Sequence, residues 1–153
     1  TSVPMEDYEV RDLYHRKNKS ILRIDNGYLG REVNRDGTVT VKFSCSIQNV
    51  GREIETTYKL NAYITCDGGL SFKTIAWEAL KDNINYTSWH NGVKISCLGA
   101  FPVFPEEVID MCRFTVTFDS TEYDRFVENG NVRLLLLYSG GTDEKNMNVK
   151  LLR

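Results

Sequence analysis

Along TVTVKFSCSIQ, residues 38–48, apolar and polar side chains alternate one for one. Val39, Val41, Phe43, Cys45 and Ile47 share one face, and Thr38, Thr40, Lys42, Ser44, Ser46 and Gln48 share the other. Period two is the spacing of a strand buried on one side only. A turn at NVGR, residues 49–52, follows. Then IETTYKLNAYITC, residues 54–66, gathers Ile54, Tyr58, Leu60, Ala62, Ile64 and Cys66 on one face, with Thr56 its sole polar member. The two stretches predict a long antiparallel hairpin with a connection longer than two residues.

The alternation returns in VKISC (93–97) and CRFTVTF (112–118). NVRLLLLYS (131–139) differs, because Leu135 and Leu137 oppose a face that is already apolar at Val132, Leu134, Leu136 and Tyr138. A strand apolar on both faces needs cover on both. SILRI (20–24) and MNVKLL (147–152) read as weaker strands at the two ends of the chain.

Three stretches read as short helices. GLSFKTIAWEALKDN (69–83) spaces Phe72, Ile75, Ala76, Ala79 and Leu80 by threes and fours, with Ser71 as a cap. In DSTEYDRFVENG (119–130), Ser120 or Thr121 caps the start, Glu122 and Asp124 fall in the first turn, and Gly130 follows the end. Its stripe of Tyr123, Phe126 and Val127 is the expected cover for Leu135 and Leu137. FPEEVIDM (104–111) predicts a further helical turn starting at Pro105. The resulting expectation is an all-β chain, an antiparallel two-layer β-sandwich of about seven to eight strands with two or three short helices in its connections. One domain spans residues 1–153, with 1–19 expected to be a loosely packed N-terminal segment.

Composition fits that picture. A chain of 153 residues, 41% hydrophobic and 26% charged, is long enough for one substantial core. Net charge is −2, from 19 basic and 21 acidic residues, without a long block of either sign. A nucleic-acid stripe is therefore not expected, and Arg16, Lys17, Lys19 and Arg23 beside His15 read as a solvated segment. No apolar run approaches the roughly 18 residues of a membrane-spanning helix. TSVPMEDYEV lacks an export pattern, so a cytoplasmic location is expected, although a chain opening on Thr leaves room for a removed leader or a longer parent.

Cys45, Cys66, Cys97 and Cys112 all occupy the apolar phase of their strands, which predicts buried thiols. The competing reading, an inter-sheet disulfide, needs Cα atoms within about 7 Å. There is no C-x₂-C pair for zinc. The two glycosylation sequons, at Asn18 and Asn85, are about what such a composition yields by chance.

Candidate chemistry is sparse. His15 and His90 are the only histidines, and neither sits in a metal-binding pair, a nucleophile elbow or a phosphate loop. A hydrolytic trio of His90 with Cys97 or Asp82 can be drawn, but composition produces such trios freely. Asp119, Glu122 and Asp124 suggest calcium, yet a helix start accounts for them. No catalytic activity, cofactor or metal is expected.

Two aromatic stretches remain. NYTSWHNG (85–92) carries Tyr86, Trp89 and His90 among turn formers, and GAFPVFP (99–105) carries Phe101 and Phe104. Such rings supply rigid contact area in binding loops, or else fold back as plugs, with Tyr86 packed beside Trp77. If both loops sit at one end of the sandwich they form a site; at opposite ends, each is a plug.

IETTYKLNAYITCDGG followed by SFKTIAWEALKDN resembles the strand-then-helix portion of MATH (TRAF-like) adaptor domains over about a fifth of the chain. The early W-x-I and glycine–tryptophan landmarks of that family do not occur here, and the resemblance implies no more than an adaptor role.

The functional expectation is a non-catalytic domain binding a protein or peptide through loops or an edge strand. Tyr86, Trp89, His90, Phe101 and Phe104 are its candidate partner-binding residues. The alternatives are a carbohydrate- or lipid-binding module at the aromatic loops and a self-assembling, capsid-like subunit. In the last, the 131–138 strand would meet a second copy.

Overall fold

The alternating stretches are strands in a computed structural model that describes residues 19–77 and 84–153. In chain order they are β1 (Leu22–Val33), β2 (Val39–Asn49), β3 (Tyr58–Cys66), β4 (Thr74–Trp77), β5 (Ile84–Trp89), β6 (Gly92–Leu98), β7 (Val108–Phe118), β8 (Gly130–Tyr138) and β9 (Gly141–Met147). A helix, α1 (Ser120–Asn129), joins β7 to β8, and a 3₁₀ turn (Val149–Leu152) follows β9. The strands form two antiparallel sheets, β1-β2-β7-β4 and β5-β6-β3-β8-β9. There are nine, where the sequence suggested seven or eight.

The inward phases are those read from the sequence. Val41, Phe43 and Ile47 of β2 and Phe114, Val116 and Phe118 of β7 are buried in one core with Leu60 and Ile64 of β3, Ile95 of β6 and Leu136 of β8. Phe43 and Phe114, directly paired across β2 and β7, stack with ring centroids 4.7 Å apart. All four cysteines are buried as thiols within this core.

The predicted hairpin of 38–48 with 54–66 is not formed. β2 pairs with β1 and β7, whereas β3 pairs with β6 and β8 in the other sheet. The connection through residues 50–57 crosses between layers, so the two apolar faces meet front to front instead of lying side by side. Inward phase is the same in both arrangements, which is why alternation could not separate them.

Four local readings change, three of them because a neighbouring strand supplies hydrogen bonds that a helix or loop would otherwise have to provide. The predicted helix over 69–83 is a strand at Thr74–Trp77, laid along β7 with Ile75 opposite Val116 and Trp77 opposite Phe114. Its remainder, 78–83, lies outside the described residues, as do residues 1–18 of the N-terminal segment. FPEEVIDM is no helix either. Residues 105–107 turn, with Glu106 at φ 71°, and Val108 onward continue β7 alongside Gln48 of β2. NYTSWHNG is mostly strand: Trp89 pairs with Gly92, and His90-Asn91 is a two-residue hairpin turn. MNVKLL ends its strand at Met147 and closes in the 3₁₀ turn, with Asn148 accepting from Lys150 N–H at 3.0 Å.

α1 forms where expected and Gly130 follows it, but its N-cap is Asp119, without a side-chain capping bond, and the expected caps Ser120 and Thr121 lie inside the first turn. It does not cover Leu135 and Leu137. Phe126 stacks on Phe118 at 5.0 Å, which places the Tyr123, Phe126 and Val127 stripe in the central core. Leu135 and Leu137 stay half-buried on the outward face of β8. Because β8 lies between β3 and β9, both its backbone edges are occupied, and contact with a second copy through 131–138 has only this outward face to use.

Candidate functional site

The two aromatic stretches lie at opposite ends of the sandwich. In β6, Gly92 pairs with Thr65 at the Cys66 end of β3, and Leu98 pairs with Lys59 at its Tyr58 end. The length of β3 therefore separates Trp89 and His90 from Phe101 and Phe104, about 26 Å at the usual strand rise. No shared aromatic rim assembles, but the expected plugs do not form either, because Phe101, Phe104, Tyr86 and Trp89 all remain exposed.

At the first end, Tyr86 and Trp89 point to opposite sides of β5, an edge strand. Tyr86 meets Trp77 edge to face at 5.9 Å and so ties the margins of the two sheets together. Trp89 lies over its partner Gly92, where a Cβ would stand 2.8 Å from the indole. Both keep nearly half their surface in solvent. The exposed His90 ring rests near Gly69, and its carbonyl accepts from Leu70 N–H at 2.9 Å. Cys97 is fully buried, five residues beyond Gly92 and roughly 17 Å along the strand, so His90 and Cys97 do not meet. Asp82 lies outside the described residues.

The second end is built on buried polar groups. Asn49, fully buried, accepts from Gly51 N–H (2.9 Å) and Ile21 N–H (3.3 Å) and donates to the carbonyls of Glu53 (2.7 Å) and Val103 (3.0 Å). Glu55 is 2% exposed, and its carboxylate accepts from Ser139 N–H (2.8 Å), the Ser139 hydroxyl (2.7 Å) and the Ser20 hydroxyl. Glu55 and Val103 also exchange backbone hydrogen bonds of 3.0 and 2.9 Å. The Tyr58 hydroxyl donates to the Phe101 carbonyl at 2.6 Å. Burial raises the Tyr58 pKa above its ordinary value, with Glu107 and Glu55 adding to the shift and the Phe101 bond opposing it.

Fixed in this way, the loops turn apolar side chains outward. Val103 is buried, but Phe101 and Phe104 on either side of it are 77% and 51% exposed. Val50, Ile54, Leu98 and Val108 join them, so six of the eleven exposed large apolar side chains among the described residues belong to this end. Exposed acids, Glu53, Glu106 and Glu107, lie beside Ile54, Phe104 and Val108 in the chain, with Arg52 as a basic neighbour.

Sequence reasoning found Phe101 and Phe104 but missed the rest of the rim and the polar groups beneath it. Ile54 was placed on the inward face by extrapolating the phase of β3. The chain breaks phase before Tyr58, so Glu55 goes in and Ile54 goes out. A buried acid leaves no periodic mark, and no local signal could have identified Glu55.

Among the described residues, no three His, Cys, Asp or Glu side chains converge as metal ligands, and no helix is long and apolar enough to cross a membrane. Asp119 lies 3.3 Å from Lys73, and Glu122 lies 3.4 Å from Arg125.

No family model and no curated protein matches the chain. Among solved structures it is similar to CsgH from R. palustris, at 13% identity over 87% of this chain and 97% of that one, with a TM-score of 0.43. It is also similar to a non-cellulosomal cohesin from Archaeoglobus fulgidus, at 12% identity, 86% and 80% coverage, and a TM-score of 0.35. A third likeness is to DesR, a β-glucosidase from Streptomyces venezuelae, at 12% identity over 84% of this chain but 15% of that one, with a TM-score of 0.33. Likeness at this level says nothing of what this chain binds.

Proposed function

We propose that this β-sandwich is a non-catalytic recognition domain that holds a protein or peptide partner against its 98–108 end. The supporting observation is the exposure of Val50, Ile54, Phe101 and Phe104 on loops anchored by Asn49 and Glu55, with Leu98 and Val108 exposed at the adjoining ends of β6 and β7. Exposed apolar side chains clustered at one place mark an interaction surface, whereas scattered ones need no explanation. Anchored loops lose little entropy on binding, so the buried apolar area is converted to affinity efficiently. The neighbouring acids favour a partner whose apolar anchor is flanked by Lys or Arg.

The test compares Phe101→Ser/Phe104→Ser with Trp89→Ala in cross-linked capture from the native host, followed by a titration with the purified partner. The first variant should lose the partner while keeping the wild-type melting temperature, and Trp89→Ala should retain it. Binding that survives Phe101→Ser/Phe104→Ser and fails with Trp89→Ala would move the surface to the β5 edge and overturn this reading.

A further inference from the structure

Tyr28 stands on the outward phase of β1, opposite Ser44 of β2. Two residues on, Gly30 has no side chain and the Tyr28 ring takes the space. A Cβ at Gly30 would lie 2.6 Å from Tyr28 Oη and 2.9 Å from a ring carbon. The ring is thus laid along the strand, with Tyr28 57% exposed. An aromatic face held this way toward water is a ready platform for stacking.

From Tyr28 an open cleft of about 410 Å³ runs across the outward face of the four-stranded sheet, past Lys42, Ser44, Arg113, Thr115 and Ala76. Strand register makes it transverse. Tyr28 lies opposite Ser44 and Ser44 opposite Arg113; beside that row, Lys42 lies opposite Thr115 and Thr115 opposite Ala76. Three interstrand steps, about 14 Å, carry it from β1 to β4. Ser44 and Thr115 in the middle and Ala76 at the β4 end are small, and that keeps the trough clear.

The charges along it cancel. Lys42 Nζ lies 3.0 Å from the Glu32 carboxylate, and the Arg113 guanidinium lies 2.8 Å from the Asp110 carboxylate. An anion would meet both carboxylates, and an apolar chain would leave four charged groups poorly solvated. A hydroxyl group both donates and accepts, so it can bond to either member of each pair. The C–H face of a sugar ring, slightly positive, complements the negative face of an aromatic ring.

We propose that this trough binds a short neutral oligosaccharide, with Tyr28 stacking on one sugar ring and the Lys42–Glu32 and Arg113–Asp110 pairs holding its hydroxyls. The trough lies at mid-sheet, away from the apolar end, so this site and the protein-binding reading stand or fall separately.

The intact chain is titrated with cellotetraose, maltotetraose, mannotetraose, xylotetraose and chitotetraose, with tetragalacturonate as the anionic control. Calorimetry and amide NMR shifts report binding. At least one neutral tetrasaccharide should bind and shift Ser44, Thr115 and Ala76. Tyr28→Ala should weaken it by about tenfold, the loss expected for one aromatic stacking contact. Gly30→Val, which displaces the ring without removing it, should weaken it as well, and Phe101→Ser should leave it unchanged. The proposal is overturned if no neutral member of the panel binds, if only tetragalacturonate binds, or if affinity ignores both Tyr28→Ala and Gly30→Val.

Discussion

Glu55 and Ser139, 84 residues apart in the chain, are joined by two hydrogen bonds, from the serine N–H at 2.8 Å and its hydroxyl at 2.7 Å. A carboxylate 2% exposed is costly to bury, and it is tolerated here because every partner it has is a donor. Glu55→Ala would strand the Ser139 and Ser20 donors out of water. We expect it to lower stability by about 2–4 kcal/mol in urea denaturation, against about 1 kcal/mol for Ser139→Ala. Equal small effects from both would mean that the end does not depend on this carboxylate.

Phe101, Val103 and Phe104 give a contrast within four positions. Phe101→Ser and Phe104→Ser remove exposed side chains and should each change stability by no more than about 0.5 kcal/mol. Val103→Ala opens a cavity in the fully buried site between them and should cost about 2 kcal/mol. Thermal unfolding of the three variants decides the point.

Alkaline pH should unfold this protein progressively. Burial pushes the Cys45 thiol from an ordinary 9.0 up to about 12, with Cys97 adding to the shift and Lys145 opposing it. Tyr58 is also raised above 10.0. Both groups hold their protons more firmly folded than unfolded. The stability they contribute is intact below their ordinary values and is lost as pH climbs through the folded ones. Stability should therefore begin to fall above pH 9, and Cys45→Ala should flatten the decline between pH 9 and 12. Iodoacetamide at mildly alkaline pH should leave Cys45 unmodified until the chain unfolds.

Gly92→Ala should destabilise strongly although it adds one methyl group. Its Cβ would fall 2.7 Å from the Ile64 carbonyl oxygen and 2.8 Å from the Trp89 ring. The indole can move, but the carbonyl belongs to β3. A loss of about 2 kcal/mol or more, partly recovered in Gly92→Ala/Trp89→Ala, is the expected outcome by calorimetry.

Much of the architecture was legible because burial on one face forces a period of two. Val39 through Ile47, Tyr58 through Cys66 and Cys112 through Phe118 all face inward as read. β1 was less legible, since LRIDNGYLGREV is an edge strand with exposed polar residues, glycines where an alternating pattern would show side chains, and an irregularity at Ile24/Asn26. β4 was hidden for a different reason. Ile75 lies inward at period two as readily as at period three or four, and only pairing with β7 decides between them. For the candidate surfaces, Phe101 and Phe104 were legible as aromatics beside prolines. Tyr28 was not, because its role comes from Gly30 next to it and from Ser44 and Arg113 on strands distant in the chain.

Which face of β2, β3 and β7 avoids water was thus settled by the sequence alone, since hydrophobicity and spacing are local properties that survive any arrangement of strands. Which strand lies beside which was decided in three dimensions. β2 and β3 present the same inward faces whether paired or stacked, and only the competing claims of β1, β6, β7 and β8 for their hydrogen bonds place them in opposite sheets. Those same long-range pairings put Glu55 against Ser139 and lay a trough beside Tyr28, because a position on a sheet is defined by neighbours that the chain itself does not keep adjacent.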